Sequence, residues 1–163
     1  MSDWLDVIGN TIAAEFADIL NLADFTRVSV RLLLAALLGG LLGFERERKG
    51  KAAGVRTYML VAVGSALFVM IPQQAGASTE DLSRVIQGVV TGIGFLGAGT
   101  IIKNQTDENV QGLTTAAGIW LTAAIGIAVG LGRESTAVLS TLLALVIFAL
   151  IPHPSQERDK RSA

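Results

Sequence analysis

The stretch Val85–Ile102, VIQGVVTGIGFLGAGTII, decides the fold, because its 18 residues carry no charge and suffice to cross a bilayer. Five of these residues are glycine. In lipid every backbone polar group must find a partner within the protein, so this much glycine indicates either close helix contacts or irregular backbone shielded by neighbouring helices. Both alternatives place the segment at the centre of a membrane protein.

Apolar residues elsewhere in the chain also fall in long uncharged blocks rather than in alternating stripes. Of the 163 residues, 51% are hydrophobic and 17% are charged, and such blocks are typical of membrane proteins. The sequence predicts an all-α polytopic membrane protein whose five transmembrane helices cover residues 28–44, 57–71, 85–102, 112–131 and 135–151. The predicted organisation is an outer amphipathic helix at 1–24, the five-helix domain at 25–152 and a cytoplasmic tail at 153–163.

The first two dozen residues predict an amphipathic helix rather than a signal peptide. Asp3 and Asp6 stand where a leader has basic residues, and apolar residues recur at helical spacing. These apolar residues are Trp4, Leu5, Ile8, Ile12, Phe16, Ile19 and Leu20. We expect a cap along the outer face of the membrane. Docking on this protein or on a partner is the alternative, because the acidic polar face disfavours anionic lipid.

The charges predict the orientation and exclude several classes of function. Nine lysine and arginine residues fall on the side of the first loop, the third loop and the tail, against four on the opposite side. By the positive-inside rule the N-terminus lies outside and the C-terminus in the cytoplasm. A net charge of −1 without a basic, aromatic-interleaved stretch argues against nucleic-acid binding. The absence of cysteine excludes disulfides and thiolate chemistry.

Small residues at helical spacing predict close packing within the membrane. The residues expected to form helix contacts are Gly39, Gly43, Gly88, Gly92, Gly118, Thr122 and Gly126. These faces are more numerous than five helices need, so we expect a homodimer in the lipid bilayer. The glycine cluster from Gly92 to Gly99 has an alternative role, in which the helix unwinds and presents its backbone to a ligand.

Polar side chains that could bind an ion or take part in catalysis are scarce, and they lie at the membrane edges. A folded-back first loop would bring Arg56 to Glu45, at the end of the first spanning helix, as an ion pair; membrane anchoring is the alternative. Asp107 and Glu108 are weak candidates for a magnesium site, with a solvated loop as the more ordinary interpretation. We expect no cofactor, with Mg²⁺ conceivable as ligand or substrate. No catalytic triad or phosphate-binding loop occurs, so no enzymatic activity is expected.

Two blocks of the sequence resemble a known family. The stretch Gly39–Arg46, GGLLGFER, continues into Ala53–Thr57, AGVRT, and a second block joins Gly92–Gly99, GIGFLGAG, to Asn109–Ala117, NVQGLTTAA. In order and spacing both are similar to the signatures of the MgtC/SapB family of bacterial inner-membrane proteins. The resemblance covers roughly residues 31–132.

The resemblance implies a five-helix protein of magnesium homeostasis in the bacterial inner membrane. Family members are associated with growth in low magnesium, and for some members with restraint of the F-type ATP synthase. Two functions follow as alternatives: a magnesium transporter or channel-like protein, and a non-transporting modulator of another membrane complex. This chain resembles a short form without the family's C-terminal ACT-like domain. The positions that match the family motifs are Glu45, Arg46, Gly54, Arg56, Gly94, Gly97, Gly99, Asn109, Gly112 and Thr114. Thr114 stands where virulence-type members have asparagine.

Overall fold

A computed structural model describes residues 3–15, 22–103 and 110–150. The elements in chain order are α1 (Asp3–Glu15), α2 (Leu22–Arg48), α3 (Val55–Gln74), α4 (Thr79–Gly99), β1 (Ile102–Lys103), β2 (Val110–Gln111), α5 (Leu113–Gly130) and α6 (Glu134–Leu150). Within the described ranges, α2, α3, α4 and α5 are long and apolar enough to span a membrane, and α6 is a shorter apolar helix. The predicted all-α membrane fold with an N-terminal helix is confirmed.

The third predicted span differs from the structure at both ends. Its helix, α4, begins six residues earlier, because Ser78 and Asp81 form a capping box in which each side chain accepts a hydrogen bond from the other's backbone N–H. The predicted end at Ile102 is wrong. Ile102 leaves the helix and pairs with Gln111 in a two-stranded antiparallel hairpin, so α4 ends at Gly99.

The predicted boundaries near the termini are also adjusted. The amphipathic helix is α1, which ends at Glu15, and its predicted part at 16–21 lies outside the described residues. Residues 22–24 belong to α2, so the first spanning helix starts before the predicted residue 28. The predicted cytoplasmic tail lies outside the described residues.

Helix α3 packs on both α2 and α5, which also contact each other, and glycines make both of its contacts close. A Cβ added at Gly39 of α2 would lie 2.6 Å from the Tyr58 carbonyl oxygen of α3. A Cβ at Gly130 of α5 would lie 2.7 Å from the Ala66 carbonyl oxygen of α3, and Gly126 meets the α3 backbone in the same way. These three helices therefore pack backbone to backbone, as small residues permit in lipid.

Arg31 of α2 and Lys49, directly after α2, cap the C-terminal ends of neighbouring helices. The Arg31 Nη1 donates to the carbonyl oxygen of Gly130, the last residue of α5, at 3.0 Å. Lys49, in the turn after α2, donates to the carbonyl oxygen of Phe148 near the end of α6. Cations favour these positions because the last carbonyls of a helix have no intrahelical partner and carry partial negative charge.

Helix α4 is the least covered of the spanning helices. It packs on α5 and partly on α3, and only 11% of its apolar window is buried, against 56% for α5. Phe95 is 83% exposed. A Cβ added at Gly88, Gly92, Gly94 or Gly99 would meet no described atom within 4 Å. Most of the α4 surface therefore faces away from the other described residues.

Candidate functional site

The described spanning helices bury one charged side chain, Arg46, at the end of the bundle where α2 meets α3. Together with Glu45 and Tyr58 it forms what we call the polar cluster. Arg46 and Glu45 lie in the last turn of α2, and Tyr58 lies in the first turn of α3. The cluster is thus built by the short turn that joins the two helices.

Local sequence explains why this turn is so tight. A Cβ at Gly43 would lie 2.6 Å from the Cα of Val55, so a glycine is needed for α3 to start against α2. The Glu47 Oε2 accepts a hydrogen bond of 2.9 Å from the Val55 N–H and satisfies one free amide at the start of α3. Gly54, the N-cap of α3, lies directly against the Glu47 carboxylate.

The Arg46 guanidinium is 3% exposed and stacks on an aromatic ring. Its central carbon lies 4.5 Å from the centroid of the Phe148 ring of α6, within the range of a cation–π interaction. Its Nη1 lies 3.6 Å from the Glu45 Oε2, and the Glu45 Oε1 lies 2.6 Å from the Lys49 Nζ. Glu45 therefore stands between two cations, with Lys49 the closer.

Several polar atoms of the cluster have no hydrogen-bond partner in the described part of the chain. They are the Arg46 Nε and Nη2 and the Glu45 Oε2, while the Glu45 Oε1 lies 2.6 Å from the Lys49 Nζ. The Tyr58 hydroxyl lies against Gly118 of α5 and forms a hydrogen bond with the Arg46 side chain. An unpaired buried polar group costs about 1–3 kcal/mol, and more when charged. The cluster thus retains hydrogen-bonding capacity that the surrounding protein does not use.

The predicted ion pair between Glu45 and Arg56 does not form. Arg56 is exposed and makes no ion pair with any described residue. The physical reason is that Glu47 caps the start of α3 at Val55, while Lys49 is one helical turn from Glu45 and reaches it directly. At the other end of α2, the Arg31 Nε lies 3.5 Å from the Glu134 Oε1 of α6. The Arg27 Nη1 forms an ion pair with the Asp24 Oδ1 at 2.6 Å.

The two motif blocks meet at the same end of the bundle. Tyr58, next to the first block, touches Gly118, which follows the second block directly. A Cβ at Gly97 would make ordinary contact with Ala116, at 3.5 Å, and so links α4 to α5. Thr114 is half-buried in the first turn of α5. Gly94 and Gly99 face no described neighbour.

Gly112 occupies a position that only glycine suits. Its φ of +94° lies in the left-handed region, and a Cβ there would collide with the Thr100 backbone. It brings the start of α5 beside the end of α4. Asn109, Asp107 and Glu108, the last two being the predicted magnesium ligands, lie outside the described residues. Among the described residues there is no group of three or more candidate metal ligands.

Some of the glycines expected to form helix contacts do so within the chain, and others have no described neighbour. Gly39, Gly43, Gly118 and Gly126 lie against neighbouring helices, and the Thr122 hydroxyl is buried and donates to the Gly118 carbonyl at 2.8 Å. By contrast, Gly88 and Gly92 pack on nothing described within the chain. Their predicted role therefore requires a partner from outside the protomer.

Sequence reasoning missed Tyr58 and Phe148 as members of the site. Tyr58 is the chain's single tyrosine and is fully buried. A tyrosine near the end of a span ordinarily belongs to the interfacial aromatic belt. Its position in the sequence therefore does not indicate that it is part of the polar cluster. Phe148 is one aromatic among apolar residues of α6 and has no distinguishing signal in the sequence.

The fold and the site together define a multi-pass helical membrane protein with a buried polar cluster at one end. The sequence model of the MgtC family matches residues 32–156, and the chain belongs to this family. It is 47% identical over 134 residues to Protein SrpB of Synechococcus elongatus. The alignment covers 76% of this chain and 74% of SrpB. No solved structure matches the chain.

Two further relatives are longer than this chain. The chain is 43% identical to YhiD of Escherichia coli K12, named a putative magnesium transporter, over 72% of this chain and 57% of YhiD. It is 45% identical to Protein MgtC of Brucella abortus over 72% of this chain and 48% of that protein. The matched region thus spans about half the length of these two relatives.

Proposed function

We propose that this chain is a non-enzymatic membrane protein of bacterial magnesium homeostasis that acts as a modulator, by associating with other helices in the bilayer. The magnesium link rests on family membership and on the similarity to YhiD, which is named a putative magnesium transporter. The association rests on one observation, the uncovered face of α4. A span with small residues that meet no described neighbour can approach another helix closely, and such contacts drive association in lipid.

The continuity of α4 favours association over a broken-helix ion path. The glycine cluster from Gly92 to Gly99 remains in an unbroken helix from Thr79 to Gly99. Its carbonyls are therefore largely engaged in intrahelical hydrogen bonds, whereas a broken transporter helix presents unwound carbonyls to the ion. The glycines instead form a flat helix surface next to the exposed side chains of Phe95 and Leu96.

We assign the face to a second copy of this chain, giving a homodimer. Its test uses the variant Gly92→Leu and a matched control, Gly64→Leu in α3, since an added Cβ meets no described atom at either position. The first side-chain atom fits the protomer at both positions, so we expect both variants to fold. We expect Gly92→Leu to shift the purified protein in detergent from dimer to monomer, and Gly64→Leu to leave the dimer intact.

Equal dimer content in the two variants would contradict the assignment to α4. Recovery of a second membrane protein with the wild type, lost in Gly92→Leu, would identify a modulated complex on the same face. A wild-type chain that is monomeric throughout, in detergent and in nanodiscs, would contradict the homodimer.

The proposed location is the inner membrane, with the N-terminus outside and the C-terminus in the cytoplasm. Basic residues crowd the end of the bundle that carries the polar cluster: Arg46, Arg48, Lys49, Lys51 and Arg56. By the positive-inside rule this end is cytoplasmic. Reporter fusions test it: a C-terminal fluorescent protein should fold and emit, and alkaline phosphatase fused at the N-terminus should be active. The opposite pattern would contradict the orientation.

Transport of magnesium is the second candidate. It is favoured by the buried carboxylate of Glu45, whose oxygens are the kind of ligand that Mg²⁺ prefers. Purified protein in sealed liposomes that contain a magnesium-sensitive dye separates the two candidates. The modulator proposal predicts no uptake above that of empty vesicles. Uptake that Glu45→Gln abolishes would establish transport instead.

A further inference from the structure

A groove of about 770 Å³ opens beside the start of α2, at the end of the bundle opposite the polar cluster. Its α2 side chains form two neighbouring rows, each spaced by one helical turn. Glu134, in the first turn of α6, completes the lining. The side chains that matter for binding are Leu22, Thr26, Arg27, Val30, Arg31 and Glu134. The groove thus combines two cations, a carboxylate and an apolar wall.

Arg27 lies at the level where a bilayer presents its headgroups. At about 1.5 Å per residue, the helix from Arg27 to Arg46 is about 28 Å long, and the hydrocarbon core of a bilayer is about 30 Å thick. With Arg46 at one edge of this core, Arg27 reaches the other edge. Towards the centre of the membrane, the same face of α2 continues with the exposed side chains of Val30, Leu33 and Leu37. A ligand can therefore place a polar part on the arginines and an apolar part along α2.

The charged groups offer hydrogen-bond donors on the α2 side and an acceptor on the α6 side. The Arg27 side chain is 58% exposed, and Asp24 accepts from one of its five N–H groups. Arg31 donates to the Gly130 carbonyl oxygen, and its Nε lies 3.5 Å from the Glu134 Oε1, which is longer than an ordinary hydrogen bond. The Glu134 side chain is 43% exposed, so its carboxylate can accept from a ligand.

These charges decide what kind of molecule fits. A lone anion would bind the two guanidinium groups but would be repelled by the Glu134 carboxylate. A lone cation would bind Glu134 but would be repelled by Arg27 and Arg31. A molecule that carries both a phosphate and a primary ammonium matches both sides, because phosphate oxygens accept charge-assisted bonds from arginine and an ammonium donates to a carboxylate.

We propose that the groove binds a phospholipid of the phosphatidylethanolamine class. Its phosphate accepts from Arg27 and Arg31, its ammonium donates to Glu134, and its acyl chains lie along Val30 and Leu33 of α2. The lipid in this way joins the start of α2 to the start of α6.

Native mass spectrometry of the full chain, released from nanodiscs, tests the proposal. The nanodiscs contain equal amounts of phosphatidylethanolamine, phosphatidylcholine and phosphatidylglycerol with identical acyl chains, so only the headgroup differs. We expect the wild type to retain phosphatidylethanolamine in preference to the other two. In Arg27→Gln this retention should fall about three- to tenfold, as for the loss of one exposed hydrogen bond to a charged group.

Arg84→Gln is the matched control. Arg84 is exposed and pairs with acids of its own helix, as Arg27 does, but it does not line the groove. It should retain the wild-type amount of lipid. Equal retention of the three lipids by the wild type, or equal retention by the two variants, would overturn the proposal.

Two further measurements test the headgroup and the source of the ligand. Glu134→Gln should abolish the preference for phosphatidylethanolamine over phosphatidylcholine, since choline has no N–H to donate; an unchanged preference would overturn the role of Glu134. Glycerophosphoethanolamine, the headgroup without acyl chains, should not displace the lipid, and displacement would assign the groove to a soluble phosphodiester instead. Retained lipid is counted per chain, so these results do not depend on dimerisation or on magnesium.

Discussion

The contact between α2 and α3 gives the sharpest prediction for stability, because adjacent glycines of α2 have different surroundings. A Cβ added at Gly39 would lie 2.6 Å from the Tyr58 carbonyl oxygen and 2.9 Å from the Ala62 Cβ. A Cβ added at Gly40 would meet only the flexible Met59 side chain, at 3.4 Å and 3.6 Å. Both variants add the same methyl group. In Gly39→Ala it points at the α3 backbone, and in Gly40→Ala it meets only the Met59 side chain.

The expected difference follows from these distances. Ordinary van der Waals contact begins at 3.4 Å, so at Gly39 the helices must separate by about 0.8 Å, and no side-chain rotation relieves a clash with backbone. Overpacking of this kind costs about 1–3 kcal/mol. Both alanines gain a similar helix propensity, up to about 1 kcal/mol. We therefore expect Gly39→Ala to be less stable than Gly40→Ala by about 1–3 kcal/mol.

The assay is reversible unfolding of both variants in mixed micelles, followed by circular dichroism as denaturing detergent is titrated. Gly40→Ala should unfold at or slightly above the wild-type midpoint, and Gly39→Ala clearly below it. Equal midpoints for the two variants would show that α2 and α3 are not packed backbone to backbone, and would refute the arrangement of the bundle around α3.

The remaining predictions concern helix ends. Arg31→Gln should reduce the free energy of unfolding by about 1–3 kcal/mol, because the part-buried Arg31 caps Gly130. Arg27→Gln should change it by under about 1 kcal/mol, because its pair is exposed; equal effects would contradict the capping role. Gly112→Ala should abolish folded protein in fluorescence-detected gel filtration, because it adds a backbone collision to a positive φ. Gly76→Ala has a positive φ but open space and should cost only about 1–2 kcal/mol; folded Gly112→Ala would contradict the hairpin geometry. Ser78→Ala should cost about 0.5–2 kcal/mol by thermal unfolding, through loss of the capping box; an unchanged midpoint would show that the capping box does not stabilise α4.

The spanning helices were predictable because their signal is local. An uncharged block of sufficient length identifies a span wherever its partners lie, and the small residues at Gly39 and Gly126 indicated close packing before any neighbour was known. The hairpin of Ile102 and Gln111 was not predictable in this way. Strands of two residues carry no periodicity, and apolar Ile102 continues the pattern of the preceding helix.

The composition of the site required the tertiary structure. Glu45 and Arg46 were found through their motif, but Arg46 resembled a membrane anchor at the end of a span. It is buried only because Phe148, about 100 positions later, covers it. Arg31 likewise finds Gly130, 99 residues away. The expected partner of Glu45 was wrong for the same reason, because helix geometry favoured Lys49 over a residue across the turn.

Cysteine crosslinking in native membranes shows whether a second copy of the chain covers the exposed face of α4. The chain has no cysteine, so single cysteines at Gly92 and Gly64 report their own surroundings without background. We expect Gly92→Cys to yield a disulfide-linked species of twice the chain mass under mild oxidation, and Gly64→Cys to remain monomeric. A Gly92→Cys chain that stays monomeric, at an expression level and oxidation state matched to a known membrane dimer, would contradict it.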